Sequence, residues 1–314
     1  PQLIVRDVRN AMVQIAHYFY DFPAKDLKMT GITGTKGKTS VVYFLKNIFD
    51  CELKKKTAFL SSIHSYDGTV EKASELTTPE AVELVKALQN AKENNCEYFT
   101  MEVSSQALKY NRTDQILFDV GAFLNIGVDH ISEIEHPNFQ DYFNSKLLFS
   151  KQCKTYVVNL DICLIDTVLE SIPEEVNLVT ISLKNPEADY YVSHIQQTEL
   201  GYTFVCNNTA YEIQMSGHFN VENAAVAIAI AKSYGISTKS IQEGLKTTRV
   251  NGRMEYFVSS DKQIKVLVDY AHNELSFEKL FSSCKKEYKN HELVLIFGCP
   301  GNKAKNRRIE LPKV

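Results

Sequence analysis

The residues best suited to do chemistry are Gly34-Thr35-Lys36-Gly37-Lys38-Thr39-Ser40, the end of the run GITGTKGKTS. Two glycines let the backbone turn its N–H groups toward phosphate oxygens, and a helix starting at Lys38 adds a favourable field. In such loops the lysine reaches the outer phosphates and the next hydroxyl serves Mg2+, which assigns those roles to Lys38 and Thr39. A phosphate loop needs a strand before it and a helix after it. Residues 27–33 read as the strand. Residues 38–49 read as the helix, with Val41, Leu45, Ile48 and Phe49 on one stripe. A strict Walker A would have glycine at position 32; this chain has Ile32, so the motif is the shorter G-T-x-G-K-[ST].

Further elements must surround that loop. Short apolar runs at 59–62, 98–103, 119–126 and 156–160 read as strands of a buried parallel sheet, with a helix over 139–150 between the last two. Thr78-Pro79-Glu80 predicts another helix start, with Thr78 as cap and Pro79 in the first turn. Between 188 and 215 the alternation around polar turns predicts an antiparallel meander, and 221–233 an alanine-rich helix. A domain boundary is expected near 247–252. Beyond it, 265–270 and 293–297 look like the first two strands of another parallel sheet.

Composition narrows the function classes. The 314 residues carry 35 Lys+Arg against 38 Asp+Glu, with 44% hydrophobic residues. That is an ordinary globular chain without the basic excess of a nucleic-acid binder. No apolar run reaches the ~18–20 residues of a membrane span, and PQLIVRDVRN is no signal peptide. Seven scattered cysteines contain no C-x-x-C pair, which disfavours a zinc ribbon or a disulfide framework and favours a reducing, cytoplasmic setting. The chain opens on Pro1 and reads as part of a longer one, so it is expected to be poorly active alone.

The motifs GTKGKTS (34–40), LTTPEAVEL (76–84), MEVSSQAL (101–108), FLNIGVDHI (123–131), IEHPNFQDYFNSKLLF (134–149), GHFNVENAAVA (217–227), GRMEY (252–256) and DYAH (269–272) follow one another along the chain. Together they resemble the Mur ligases of bacterial peptidoglycan synthesis, and most the branch that adds the third amino acid of the stem peptide. IEHPNFQDYF, EVSSQA and GCPGNKAKNRR are similar to the streptococcal type, in which L-lysine is added. The resemblance implies an α/β fold. Its parts are the end of a UDP-binding domain (1–24), a P-loop central domain (25–246) with a mostly parallel sheet and a small antiparallel β subregion, and the start of a Rossmann-like C-terminal domain (247–314). It implies a monomeric bacterial cytoplasmic enzyme using ATP and Mg2+ on UDP-MurNAc-L-Ala-D-Glu and a free amino acid, with no nucleic-acid partner and no membrane insertion.

Site residues follow from the same likeness. Glu102, His130 and Lys146 would join Lys38 in catalysis. Thr39, Glu102, His130 and a carbamoylated Lys146 would serve the metal, with Asp129 orienting His130. Asn220, Asn223, Arg253, Asp269 and His272 would hold the nucleotide beside the loop residues Gly34 to Ser40. Thr77, Thr78, Ser104, Tyr110 and Arg112 would hold the acceptor, with Gln106 of lower rank. From the residues alone, Lys146 is a helix-surface lysine and Asn220 a helix cap. Three other readings stand beside this one: a folylpolyglutamate synthase-like ligase, disfavoured by TTPE and EVSSQA; an amidotransferase subunit of the MurT type, disfavoured by the missing ribbon cysteines; and a non-catalytic nucleotide-binding Mur-like protein, disfavoured by Lys38, Thr39, Glu102, His130 and Lys146 all being present.

Overall fold

The computed structural model describes residues 4–132, 135–261, 263–299 and 307–314. Helix α1 (Val8–Phe19) leads into β1 (Lys28–Thr33) and α2 (Lys38–Leu53). Then come β2 (Ala58–Leu60), the hairpin β3 (His64–Tyr66) and β4 (Glu71–Ala73), α3 (Ala81–Glu93), β5 (Tyr98–Glu102) and α4 (Ser105–Lys109). They are followed by β6 (Phe118–Phe123), α5 (Phe139–Leu147), β7 (Cys153–Asn159), α6 (Ile165–Glu170) and β8 (Asn177–Ser182). The meander β9 (Tyr190–Gln197), β10 (Tyr202–Cys206) and β11 (Thr209–Ile213) precedes α7 (Phe219–Ser233) and α8 (Thr238–Thr247). Last come β12 (Glu255–Val258), β13 (Lys265–Val268), α9 (Glu274–Glu287) and α10 (Arg307–Glu310).

Eleven strands form one sheet in the order β11-β10-β9-β8-β7-β6-β1-β5-β2-β3-β4. The strands from β2 across to β9 are parallel, and antiparallel hairpins extend both edges. The expected meander therefore continues the main sheet through the parallel β8–β9 pair. β1 sits centrally and its side chains alternate between two cores. Met29 packs with Leu84, Leu88, Phe118 and Phe149 on one face, while Ile32 packs with Val41, Leu45 and the alanine-rich α7 on the other. Helix α7 is buried over nearly its whole circumference, as an all-apolar helix must be. The chain leaves β1 toward β2 on one side, and leaves β6 toward β7 on the other. Their carboxyl ends flank a topological switch point, the place where such sheets bind ligands. The register aligns Ile32 with Glu102 and Thr33 with Phe123, so β1, β5 and β6 end together there.

Three expectations are corrected. α3 begins at Ala81 with Glu80 as N-cap, because the Thr78 hydroxyl is used elsewhere, as described below. Lys265–Val268 is a strand, but it pairs antiparallel with Glu255–Val258 and not in a second parallel sheet. Residues 293–297 form no strand: Val294 is 77% and Ile296 93% exposed, and a strand needs at least one neighbour to pair with, which the described residues do not offer. GCPGNKAKNRR lies largely outside the described residues.

Candidate active site

The phosphate loop emerges from β1 and is braced from β6. Asn125 O accepts from Thr35 N (3.0 Å), Asn125 Oδ1 accepts from Lys36 N (2.8 Å), and Asn125 Nδ2 donates to Lys36 O (3.0 Å). The Thr35 hydroxyl is shared between Gly127 and the Tyr142 hydroxyl (3.0 Å) on α5. Gly37 is the N-cap of α2 at φ +90, a backbone region that glycine enters without strain. Ile32 lies in the strand with its side chain in the core, so the turn into the loop begins only after it.

Cations converge on the loop. Lys38 Nζ donates to Gly34 O (2.9 Å) and Thr35 O (3.3 Å), and Lys146 Nζ donates to the same Gly34 oxygen (3.0 Å) and to Thr33 Oγ1 (3.5 Å). Burial lowers the pKa of both lysines, that of Lys146 well below the usual lysine range, with the Lys38 charge pushing in the same direction. Lys146 is thus no surface lysine: it is 1% exposed and lies over the Tyr142 ring. Lys36 is also lowered by burial, against the pull of Asp129 at 3.2 Å. Burial alone would raise Asp129, but Lys36 and His130 outweigh it and hold its pKa down. Arg253 reaches Thr39 Oγ1 (3.3 Å) from beyond α8 and lies over the Tyr270 ring. A group of desolvated cations around backbone N–H donors is arranged to receive a polyanion.

The acidic partner is Glu102, 1% exposed at the end of β5. Its carboxylate accepts from Thr39 Oγ1 (2.8 Å), Ser62 N (2.7 Å) and Ser62 Oγ (3.0 Å), and no cation stands within ion-pair distance among the described residues. A buried carboxylate beside a hydroxyl, with no resident counter-charge, suits a hard divalent cation. The described residues contain no cluster of three His, Cys, Asp or Glu, so such a cation would be held by Thr39, Glu102 and the phosphates of a ligand, as Mg2+ commonly is. His130 is exposed at φ +58, with its ring 3.3 Å from Glu135 Oε1.

Lys36, Lys38, Thr39, Ser62, Glu102, Asp129, His130 and Arg253 border a cleft of about 340 Å3 that also includes Ser40, Thr77, Asn223, Asp269 and His272, whereas Lys146 lies behind the loop and outside its lining. Burial raises Asp269, whose two oxygens accept from Met254 N (2.9 Å) and Ala271 N (2.8 Å). His272 turns Nδ1 to Tyr270 O (2.7 Å). Asn220 does not reach the cleft, nor is it the cap of α7, a position held by His218. It is fully buried and donates to Ser216 O (2.7 Å), because Asn223 on the next turn already occupies its oxygen (3.0 Å).

The expected acceptor residues divide. Thr77 lines the cleft, accepting from Ser62 Oγ (3.1 Å). Thr78 is sealed: its hydroxyl donates to Glu102 O (2.9 Å) and accepts from Ser104 N (3.0 Å), tying the ends of two segments together. Ser104 caps α4 through Ala107 N (3.1 Å), and Gln106 lies within that short helix. Tyr110 packs under the Arg9 guanidinium of α1. Arg112 donates to Thr78 O (3.0 Å) and pairs with Glu80. Apart from Thr77, these residues lie outside the cleft. Sequence reasoning passed over Ser62, Asn125, Tyr142 and Tyr270. Asn125 had a signal in NxxxDH, whereas Ser62 had none, since it matters only through a contact forty residues away.

The Mur ligase middle-domain family profile matches residues 32–231, and the Mur ligase glutamate ligase domain profile matches 252–314. The chain is 38% identical, over 99% of its length, to the UDP-N-acetylmuramoyl-L-alanyl-D-glutamate--L-lysine ligase of Enterococcus faecalis, of which it covers 63%. It is 38% identical over its whole length to a UDP-N-acetylmuramyl-tripeptide synthetase of Lactococcus lactis, of which it covers 64%. Among solved structures, a UDP-N-acetylmuramoyl-L-alanyl-D-glutamate--2,6-diaminopimelate ligase shares the fold over 99% of this chain and 64% of that one (TM-score 0.76, 22% identity). The folylpolyglutamate synthetase of Lactobacillus casei shares it at a TM-score of 0.70 and 14% identity, over 100% of this chain and 82% of that one. No helix among the described residues is long and apolar enough to cross a membrane.

Proposed function

The chain belongs to the Mur ligase family, and from that premise we propose that it acts in peptidoglycan synthesis as an ATP-dependent ligase. In this reading it joins L-lysine to UDP-MurNAc-L-Ala-D-Glu, with residues 25–246 as the ATP-binding domain and 247–314 as the start of the next. The observation that carries it is the Thr39–Glu102 contact at 2.8 Å, which sets a buried carboxylate against the helix-starting hydroxyl of a phosphate loop. Thr39 and Glu102 would hold Mg2+ there, and it would supply charge neutralisation at the phosphates.

The chain's own groups do the rest. The loop amides, Lys38 and Arg253 bind and orient the triphosphate, and their positive charge favours attack of the acceptor carboxylate on the γ-phosphorus with loss of ADP. The resulting acyl phosphate is then attacked by the amino group of the incoming amino acid, expelling phosphate. Asp129 holds Lys36 toward the loop, and its Oδ1 accepts from His130 N (3.0 Å), fixing the backbone under that ring. Lys146 is a candidate for carbamoylation. Its neutral amine can add to the carbon of CO2 and release a proton, giving a carboxylate-like group beside the cation site. Support comes from its burial, its lowered pKa and the lack, among the described residues, of any carboxylate at ion-pair distance. Thr77 borders the acceptor side.

The test is an assay with UDP-MurNAc-L-Ala-D-Glu, ATP, Mg2+ and either L-lysine, ornithine or diaminopimelate, using a chain extended to the length of the relatives. Lysine-dependent tripeptide and ADP formation is expected. Turnover with a folate acceptor instead would replace the reading, and ATP binding without amide formation would leave a non-catalytic protein.

A further inference from the structure

Between β6 and α5 the chain carries Asp129 and His130 to the cleft, and the return toward α5 passes through a second histidine. His136 is fully buried, and its ring bridges two helices. Its Nδ1 lies 2.6 Å from Asp141 Oδ2 on α5, and its Nε2 lies 3.0 Å from Ser105 Oγ at the start of α4. Its backbone ties back to the same stretch of chain: His136 N donates to His130 O (3.3 Å), and His136 O accepts from Ser132 N (2.9 Å). The ring also packs edge to face with Tyr142, whose hydroxyl meets Thr35 of the phosphate loop.

Asp141 is itself held in place. Its N–H donates to Asn138 Oδ1 (2.9 Å), and Lys109 Nζ donates to the same Oδ2 (2.6 Å). An ionised carboxylate only accepts, so Nδ1 of His136 must carry a proton. Lys109 already supplies the counter-charge of Asp141, so the ring need not be charged. Burial lowers the pKa of His136, Asp141 pulls it up, and the Lys109 and His130 charges push it down. A neutral ring protonated on Nδ1 presents Nε2 as an acceptor, and the Ser105 hydroxyl donates to it. A Ser-His-Asp line also serves nucleophilic catalysis. Here Ser105 is 4% exposed and borders no part of the cleft, so the line joins segments instead of facing a substrate.

We infer that His136 is a positioning residue: as a neutral imidazole protonated on Nδ1, it clamps the segment carrying Asp129 and His130 to α4 and α5 and so sets where those two side chains stand at the cleft. The clamp is independent of the ligase reading above; its effect on turnover rests on that reading. The backbone of His130 is fixed twice, by Asp129 Oδ1 on its N–H and by His136 N on its oxygen. Loss of the clamp frees the second contact and, with it, the Asp129 carboxylate that holds Lys36 toward the phosphate loop. A misplacement of about 1 Å at such groups costs up to about a hundredfold in rate.

Nitrogen-15 NMR of the histidine-labelled chain tests the clamp without any ligand. His136, assigned by the loss of its signals in His136→Gln, should show a protonated Nδ1 and a bare Nε2. Ser105→Ala, which removes one arm only, should shift the signals of His130. In a chain extended to the length of the relatives, His136→Phe keeps the ring's bulk and loses both bonds. Its kcat/KM for ATP should fall about tenfold to a hundredfold, with the KM for ATP raised and the KM for lysine unchanged. A smaller folded fraction would lower kcat and move neither KM. His136→Gln, whose oxygen can accept from Ser105, should recover part of the loss. The inference is overturned if the His136 proton sits on Nε2 or on both nitrogens, if Ser105→Ala leaves the His130 signals in place, or if His136→Phe moves neither KM. Labelling of Ser105 by a fluorophosphonate would also overturn it, in favour of a hydrolytic nucleophile. The expected NMR signals without tripeptide formation by the extended wild type would remove the ligase reading and leave the clamp.

Discussion

Gly37→Ala probes the coupling between the phosphate loop and α7. At φ +90 an L side chain sits in a sparsely populated region, at a cost of about 1–3 kcal/mol. The added Cβ would also collide with Asn223 Oδ1, with Asn223 Cγ at 3.1 Å and Leu124 Cδ1 at 3.3 Å. Asn223 cannot easily retreat, because its amide donates to Asn220, itself anchored on Ser216 O. Overpacking of this kind costs about 1–3 kcal/mol. If the chain responds by letting the loop shift, the loss falls on ligand affinity: at least roughly 2 kcal/mol, or about 30-fold in ATP Kd. Calorimetry would measure the Kd and thermal unfolding would measure the share falling on stability. In Gly37→Ala/Asn223→Ala the collision is gone but the backbone strain stays, so only the packing share, about 1–3 kcal/mol, should return. The reasoning fails if Gly37→Ala keeps both Tm and ATP affinity near wild type, or if the second substitution recovers nothing.

Two further outcomes follow from buried groups. Thr78→Val strips partners from Glu102 O and Ser104 N and should cost about 1–3 kcal/mol in urea unfolding, while Thr78→Ser, which keeps both bonds, should stay close to wild type; equal stability of the two variants would contradict the structural role. Lys146 has a folded pKa well below 10.5, so between those two values the unfolded chain binds the extra proton and wild-type stability rises with pH. Lys146→Met removes that dependence. Its gain in Tm over wild type in CO2-free buffer should be larger near pH 7 than near pH 9.5, and a gain independent of pH would refute the desolvation argument.

Legibility in the sequence followed the range of the interactions. The β1–loop–α2 unit could be read at once because its glycines, lysine and hydroxyl are contiguous. The parallel strands at 98–102 and 118–123 showed as short, mainly apolar runs, as strands covered on both faces do. Residues 293–297 carried the same signal without forming a strand, since an apolar run states an appetite for burial and not the presence of a partner. Thr78 had the sequence of a cap, but a better pair of partners lay across the fold at Glu102 and Ser104.

The amino-acid sequence alone determined that a phosphate loop exists and which family's motifs surround it, because those signals are short, ordered and local. Tertiary structure decided what the flanking residues do. It turned Lys146 from a helix lysine into a buried amine on Gly34 O, and set Glu102 against Thr39 sixty-three residues away. It also sealed Asn220 while leaving Glu222, two residues on, facing the cleft. Burial and the proximity of charges settle each case, and both come from distant segments packing together.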